Sequence, residues 1–181
     1  VEGPSLRELL EGPLEDSKKE KILLQLVDIV AHAHKHRIVH RDIKPENIVV
    51  RQDSVVKLLD YGVAKELKQK DISSTMVGSR PFMAPEQISG ESQIASDVWA
   101  LGIVMYAIYT GYLPFYHDNE KILMDLILTI EPRSPREIEP DIPVELERII
   151  LECLKKDPKE RFADAEILKA NILEAFPQFG K

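Results

Sequence analysis

The octet His40-Arg41-Asp42-Ile43-Lys44-Pro45-Glu46-Asn47 places a carboxylate, an ammonium and a carboxamide close together, and Asp60-Tyr61-Gly62 adds a second carboxylate downstream. Asp42 is suited to orient a hydroxyl nucleophile and accept its proton. Asn47 and Asp60 offer the hard oxygens that Mg²⁺ prefers and shares with phosphates. Lys44, two residues past Asp42, can set a cation against a phosphoryl group in transfer. That set describes phosphoryl transfer from ATP, a reaction that needs alignment and charge neutralisation more than covalent help. Ala84-Pro85-Glu86 completes the series. Taken singly, Asp-Tyr-Gly reads as a turn and Ala-Pro-Glu as a helix start. The full octet followed by both, in this order, is what separates the pattern from turn chemistry.

The elements that must position these residues are mostly helices. Ser5-x-x-Glu8 predicts a capping box and a short helix through Leu10, ended by Gly12-Pro13. Ser17-x-x-Glu20 predicts a second capping box and a helix to about His36, with Ile22, Leu23, Leu26, Val27 and Val30 on one apolar face. The β-branched runs 47–51 and 54–59 flank Gln52-Asp53 and predict a small hairpin, lying between Asp42 and Asp60. Residues 65–80 are polar and read as a long loop. Residues 97–109 are almost wholly apolar and predict a helix buried on all sides. Further helices are expected at 119–130, 144–155 and 163–175, with Pro132, Pro135, Pro140 and Pro143 stiffening a connector. The fold class is mainly α with one hairpin.

The 181 residues are enough for one domain with a core. A net charge of -7 argues against nucleic acid as the principal partner. No apolar run approaches the ~20 residues of a membrane span, and no signal peptide opens the chain. The lone Cys153 excludes an internal disulfide and, among apolar neighbours, reads as a buried structural thiol. These features point to a cytoplasmic location. The chain opens on Val1 and is expected to be a piece of a longer protein.

The motifs together resemble the C-terminal lobe of eukaryotic-type serine/threonine protein kinases, across nearly the whole chain. Gly78 to Glu86 resembles that family's substrate-docking segment, with Ser79 in place of the usual threonine. Asp97-Val98-Trp99-Ala100-Leu101-Gly102 resembles its central buried helix, and Asp157-Pro158 with Arg161 its penultimate turn. The resemblance implies catalytic Asp42 and Lys44, nucleotide contacts at Lys44, Glu46, Asn47, Val49 and Asp60, and Mg²⁺ ligands Asn47 and Asp60. Val49 would floor the adenine. It implies a pair between Glu86 and Arg161, for which a solvated arginine is the bland alternative. Asp97 would brace the catalytic loop through its backbone, or cap its own helix. Tyr61, where phenylalanine is usual, would pack on His40. Ser5 would touch ribose or simply cap its helix. Arg41 would gather a phosphate from the activation segment 60–86, at Thr75 or at Ser73 or Ser74; an ordinary polar loop is the alternative.

The same resemblance marks what the 181 residues do not hold. No glycine-rich phosphate loop and no strand lysine precede His40. The whole chain, 1–181, is therefore expected to be a C-lobe whose partners are the missing N-lobe and a protein substrate bearing Ser or Thr. Apolar surface is expected where that lobe would dock. The alternative function is a stand-alone, non-catalytic or pseudokinase-like interaction module.

Overall fold

Capping chemistry starts the chain as the sequence predicts. In a computed structural model, which describes residues 3–59 and 80–180, helix α1 spans Leu6–Leu9. The Ser5 hydroxyl accepts from the Glu8 N–H while the Glu8 carboxylate accepts from the Ser5 N–H. Helix α2, Asp16–Lys35, starts earlier than the Ser17 box predicts: its cap position is Glu15, without a side-chain cap bond. Asp16 in the first turn complements the positive end of the helix and pairs with Lys19, so Ser17 lies inside the helix. The predicted apolar face of α2 is buried, from Ile22 to Val30.

Strands β1, Ile48–Val50, and β2, Val56–Leu58, pair antiparallel with Ile48 opposite Leu58. Val50 N–H also donates to the Pro4 carbonyl, and Ser5 bridges Val49, so the start of the chain lies along the free edge of β1. Ile48 and Val50 enter the main core, while alternation turns Val49 to the other face of the ribbon.

Beyond the short helix α3, Pro85–Ile88, comes the central helix α4, Ile94–Thr110, buried at every position except Ile94 and Tyr109. Gly111, with φ +76, ends it in the left-handed conformation that favours glycine. Helix α5, Glu120–Thr129, is capped by Asn119. The proline-rich connector holds a helix that the sequence reading missed, α6, Pro135–Ile138; Pro135 sits at the first turn, where its fixed φ favours helix entry. Helices α7, Val144–Cys153, and α8, Ala165–Ala175, close the domain, with Asp164 capping α8. Helix α2 packs on α8, and α4 on α7, giving one helical core with, among the described residues, a single small hairpin: the mainly α C-lobe architecture expected.

Two features fix how closely these helices approach. A Cβ on Gly102 would stand 2.6 Å from Cys153 Cβ, across the α4–α7 contact. Gly102→Ala is therefore expected to be destabilising by up to about 2 kcal/mol, the overpacking cost of about 1–3 kcal/mol less the ~1 kcal/mol gain in helix propensity. A urea midpoint equal to or above that of the parent chain would refute this. Lys156 fastens the end of α5: its Nζ donates to the Ile127 carbonyl at 2.7 Å and lies 4.1 Å from the Phe115 ring centroid. Burial lowers this ammonium to about 8, against the opposing pull of Glu131. Cys153 is fully buried, and burial pushes its thiol well above the ordinary range. Among the described residues no helix is long and apolar enough to cross a membrane.

Candidate active site

The loop between α2 and β1 is held from beneath by one buried carboxylate. Asp97, 1% exposed, sits in the first turn of α4, whose cap position is Gln93, so it does not cap the helix itself. Its Oδ2 accepts from the His40 N–H at 2.8 Å and its Oδ1 from the Arg41 N–H at 2.9 Å. Arg41 takes φ +70, unusual for a non-glycine residue, and so turns consecutive amides toward one acid.

Sequence reading passed over the residue that completes this brace, His34. Its Nδ1 accepts from the Ala165 N–H at 3.0 Å, so Nε2 carries the proton and donates to Asp97 Oδ2 at 3.0 Å. One imidazole thus ties the last turn of α2 to α4 and to the start of α8. A signal was present, since His34 lies four residues past Val30 on the buried face of α2.

Above the brace, His40 organises the octet 40–47. Its Nδ1 accepts from the Asp42 N–H at 3.2 Å, which places the ring proton on Nε2, and Nε2 donates to the Leu59 carbonyl at 3.0 Å. Leu59 N–H in turn donates to the Asn47 carbonyl at 2.7 Å. The residue just before Asp60 is therefore bonded both to His40 and to Asn47. Asn47, in the turn Pro45–Asn47, donates through Nδ2 to the Asp42 carbonyl at 2.8 Å and to Asp42 Oδ2 at 3.2 Å. Lys44 is 9% exposed at the head of that turn. Glu46 meets Arg7 at 3.3 Å through Oε1, while its Oε2 is buried with no partner among the described residues. Val49 is 6% exposed.

Glu86 and Arg161 form a second anchor. Arg161 Nη1 and Nη2 reach the two Glu86 oxygens at 2.7 and 2.8 Å, and Ser96 Oγ donates to Oε1 at 2.7 Å. Burial pushes the Glu86 carboxyl up, but the bonds from Arg161 and Ser96 and the arginine charge outweigh it and hold it below its ordinary value. The structure thus gathers Asp42, Lys44, Asn47, His40, Arg41 and Asp97 around one loop, with Glu86 and Arg161 beneath. Asp60, Tyr61, Ser73, Ser74, Thr75 and Ser79 lie outside the described residues.

The brace predicts its own failure mode. Asp97→Asn turns an NH₂ group toward backbone donors, so at least one loop amide loses its acceptor. A loss of about 1.5–3 kcal/mol is expected for bonds to a charged group. Hydrogen exchange at the His40 and Arg41 amides should accelerate at least about tenfold with it; unchanged protection there would contradict the brace.

Comparison with known proteins converges on one family. The family model for the protein kinase domain matches residues 1–173. The chain is similar to the serine/threonine-protein kinase PrkC of Bacillus subtilis, 38% identical over 181 residues that cover 97% of this chain and 28% of that protein. It is 36% identical over 188 residues to the serine/threonine-protein kinase pkn3 of Myxococcus xanthus, covering 95% of this chain and 34% of the relative. To PknB of Mycolicibacterium smegmatis it is 32% identical over 180 residues, covering 96% and 29%. The chain spans about a third or less of the length of these curated relatives. With a match running from residue 1 to residue 173, the chain belongs to the protein kinase domain family.

Proposed function

We propose that these residues form the phosphoryl-transfer half of a serine/threonine protein kinase, which moves the γ-phosphate of ATP to a Ser or Thr hydroxyl of a protein substrate. The observation that carries this reading is the Asn47 carboxamide, bonded at once to the Asp42 carbonyl and to Asp42 Oδ2. It holds the carboxylate in one orientation, as a base that must meet a hydroxyl requires. With Nδ2 so engaged, Asn47 Oδ1 is the atom suited to a hard cation.

The donor chemistry fits Mg²⁺ and a nucleotide. Asn47 and Asp60 are hard-oxygen donors, the type that Mg²⁺ prefers. When bound, Mg²⁺ neutralises phosphate charge. In this reading Asp42 accepts the substrate proton, Lys44 offsets charge on the transferred group, and Val49 floors the adenine. His40, Tyr61, Asp97, Glu86 and Arg161 position the loop. Arg41 answers to phosphate on Thr75, Ser73 or Ser74, and Ser79 lies in the docking segment. The setting proposed is cytoplasmic.

The family's glycine-rich loop and strand lysine are not among the 181 residues, so transfer is proposed to require a lobe that carries them. Radiolabelled ATP tests this. The pure 181-residue chain should transfer no label to a mixed protein substrate. A polypeptide joining it to such a lobe should yield phosphoserine or phosphothreonine. Turnover by the chain alone, abolished by Asp42→Asn, would overturn the half-site reading. Failure of the lobe-bearing polypeptide would leave the non-catalytic module as the better account.

A further inference from the structure

The chain carries five histidines, and the fold engages the rings of three. His34 and His40 are bonded through both ring nitrogens, and His117 Nδ1 accepts from the Asn119 N–H at 2.9 Å. The other two, His32 and His36, are exposed at the C-terminal end of α2, where His36 is the cap residue. Neither of these rings makes a hydrogen bond among the described residues. Four positions apart, they share one face of the helix. Their ring centroids stand 4.8 Å apart, with the planes at 66°.

That separation selects a ligand. Two imidazoles that bind one ion at about 2.0–2.1 Å per nitrogen hold their centroids roughly 4.5–5.2 Å apart, for N–metal–N angles from about 90° to about 109°. The observed spacing falls inside that range. The torsion that turns each ring is soft, so both can bring a nitrogen to a shared point with the helix unmoved. The surroundings also suit a cation. The C-terminal end of a helix carries partial negative charge, and α2 runs for 20 residues. His32 lines a groove with Asp28, Lys35 and Glu166, in which Asp28 pairs with Lys169. Lys35 and Arg37 oppose a bound cation, but both are exposed and solvent screens them. Imidazole suits Cu²⁺, Ni²⁺ and Zn²⁺, whereas Mg²⁺ and Ca²⁺ seek oxygen ligands. Among the described residues no three His, Cys, Asp or Glu side chains gather to hold a metal ion, so the pair is the whole protein ligand set and water completes the coordination.

We propose that His32 and His36 form a two-histidine chelate for a divalent ion of the Cu²⁺, Ni²⁺ or Zn²⁺ class, closed over the last turn of α2. This site is separate from the oxygen donors proposed for Mg²⁺ and stands independent of the phosphoryl-transfer reading. Arg37, the residue after the cap, takes φ +60, uncommon for a non-glycine residue, and the octet begins three positions later. A bound ion therefore stabilises, by mass action, the turn from which the octet departs.

Electron paramagnetic resonance of Cu²⁺ added in equimolar amount to the pure 181-residue chain tests the assignment. The spectrum should carry couplings from two imidazole nitrogens. Calorimetric titration with Ni²⁺ should show one saturable site per chain, unaffected by excess Mg²⁺. His32→Gln and His36→Gln should each weaken Ni²⁺ at least about tenfold, because the second imidazole acts at high effective concentration. His117→Gln should leave the affinity unchanged. Coupling to a single nitrogen or to none, competition by Mg²⁺, an equal loss in His117→Gln, or Ni²⁺ binding unchanged in either helix variant would each overturn the chelate. The spectrum of the unaltered chain decides the matter even if a variant fails to fold.

Discussion

Asp42→Asn is expected to cut phosphoryl transfer by a lobe-complete polypeptide about 10²- to 10⁴-fold, the span that a positioned general base contributes. The carboxamide cannot take the hydroxyl proton. It can, however, turn its own Oδ1 toward Asn47 Nδ2 and keep the bond now made by Asp42 Oδ2 at 3.2 Å. The Asp42 backbone bonds, to His40 Nδ1 and Asn47 Nδ2, do not depend on the side chain at all. The loss should therefore fall on kcat, with the thermal midpoint almost unmoved. Steady-state rates measured beside melting curves decide it. A loss under tenfold would remove Asp42 from the role of base, and a collapse in stability would mean that the residue is structural.

The largest stability effect should come from Arg161→Met. The guanidinium has five N–H groups, and all five are used: two on Glu86, one on Ala95 O, one on Lys155 O and one on Lys156 O. The arginine side chain is 0% exposed and the glutamate 9%. Removing the cation strands a carboxylate and three carbonyls, an expected cost of about 3–5 kcal/mol. Lysine is no substitute, because three donors on one nitrogen cannot span both carboxylate oxygens and three carbonyls. The pH dependence follows from Glu86. Its folded value is depressed, so the contribution is complete above the ordinary 4.5 and is lost as pH falls through the lower folded value. In the variant, burial without the arginine raises the stranded Glu86 carboxyl and lets it take a proton, so the penalty of Arg161→Met should shrink steadily as pH falls. A penalty that stays constant from pH 7 down to 3, or one under about 1 kcal/mol at neutral pH, would mean that the pair adds little.

Much of this was legible wherever the signal is local. The Ser5 and Glu8 side chains close a ring three residues wide, so the first capping box could be read directly. The run from Val98 to Ile108 is apolar on every face and could only be buried. The second box failed because Asp16 also suits a helix start, and propensity does not rank two adjacent candidates. Helix α6 is one turn long, too short for a period to show. His34 and Lys156 went unread for another reason: their partners are supplied by the fold. His34 bonds to residues 63 and 131 positions away, and Lys156 to a carbonyl 29 positions back. The octet marked the loop, but not the imidazole beneath it.

That imidazole has a consequence for synthesis. His40 precedes Asp97 by 57 residues. At about 5–20 residues per second, a ribosome delivers the octet roughly 3–11 s before the acid that receives its amides. Ala165, which orients His34, is 131 residues behind it and arrives roughly 7–26 s later. A nascent chain therefore carries its chemical motif well ahead of the support for that motif. The loop is finished from its C-terminal side, and its conformation becomes fixed only as the final helix docks.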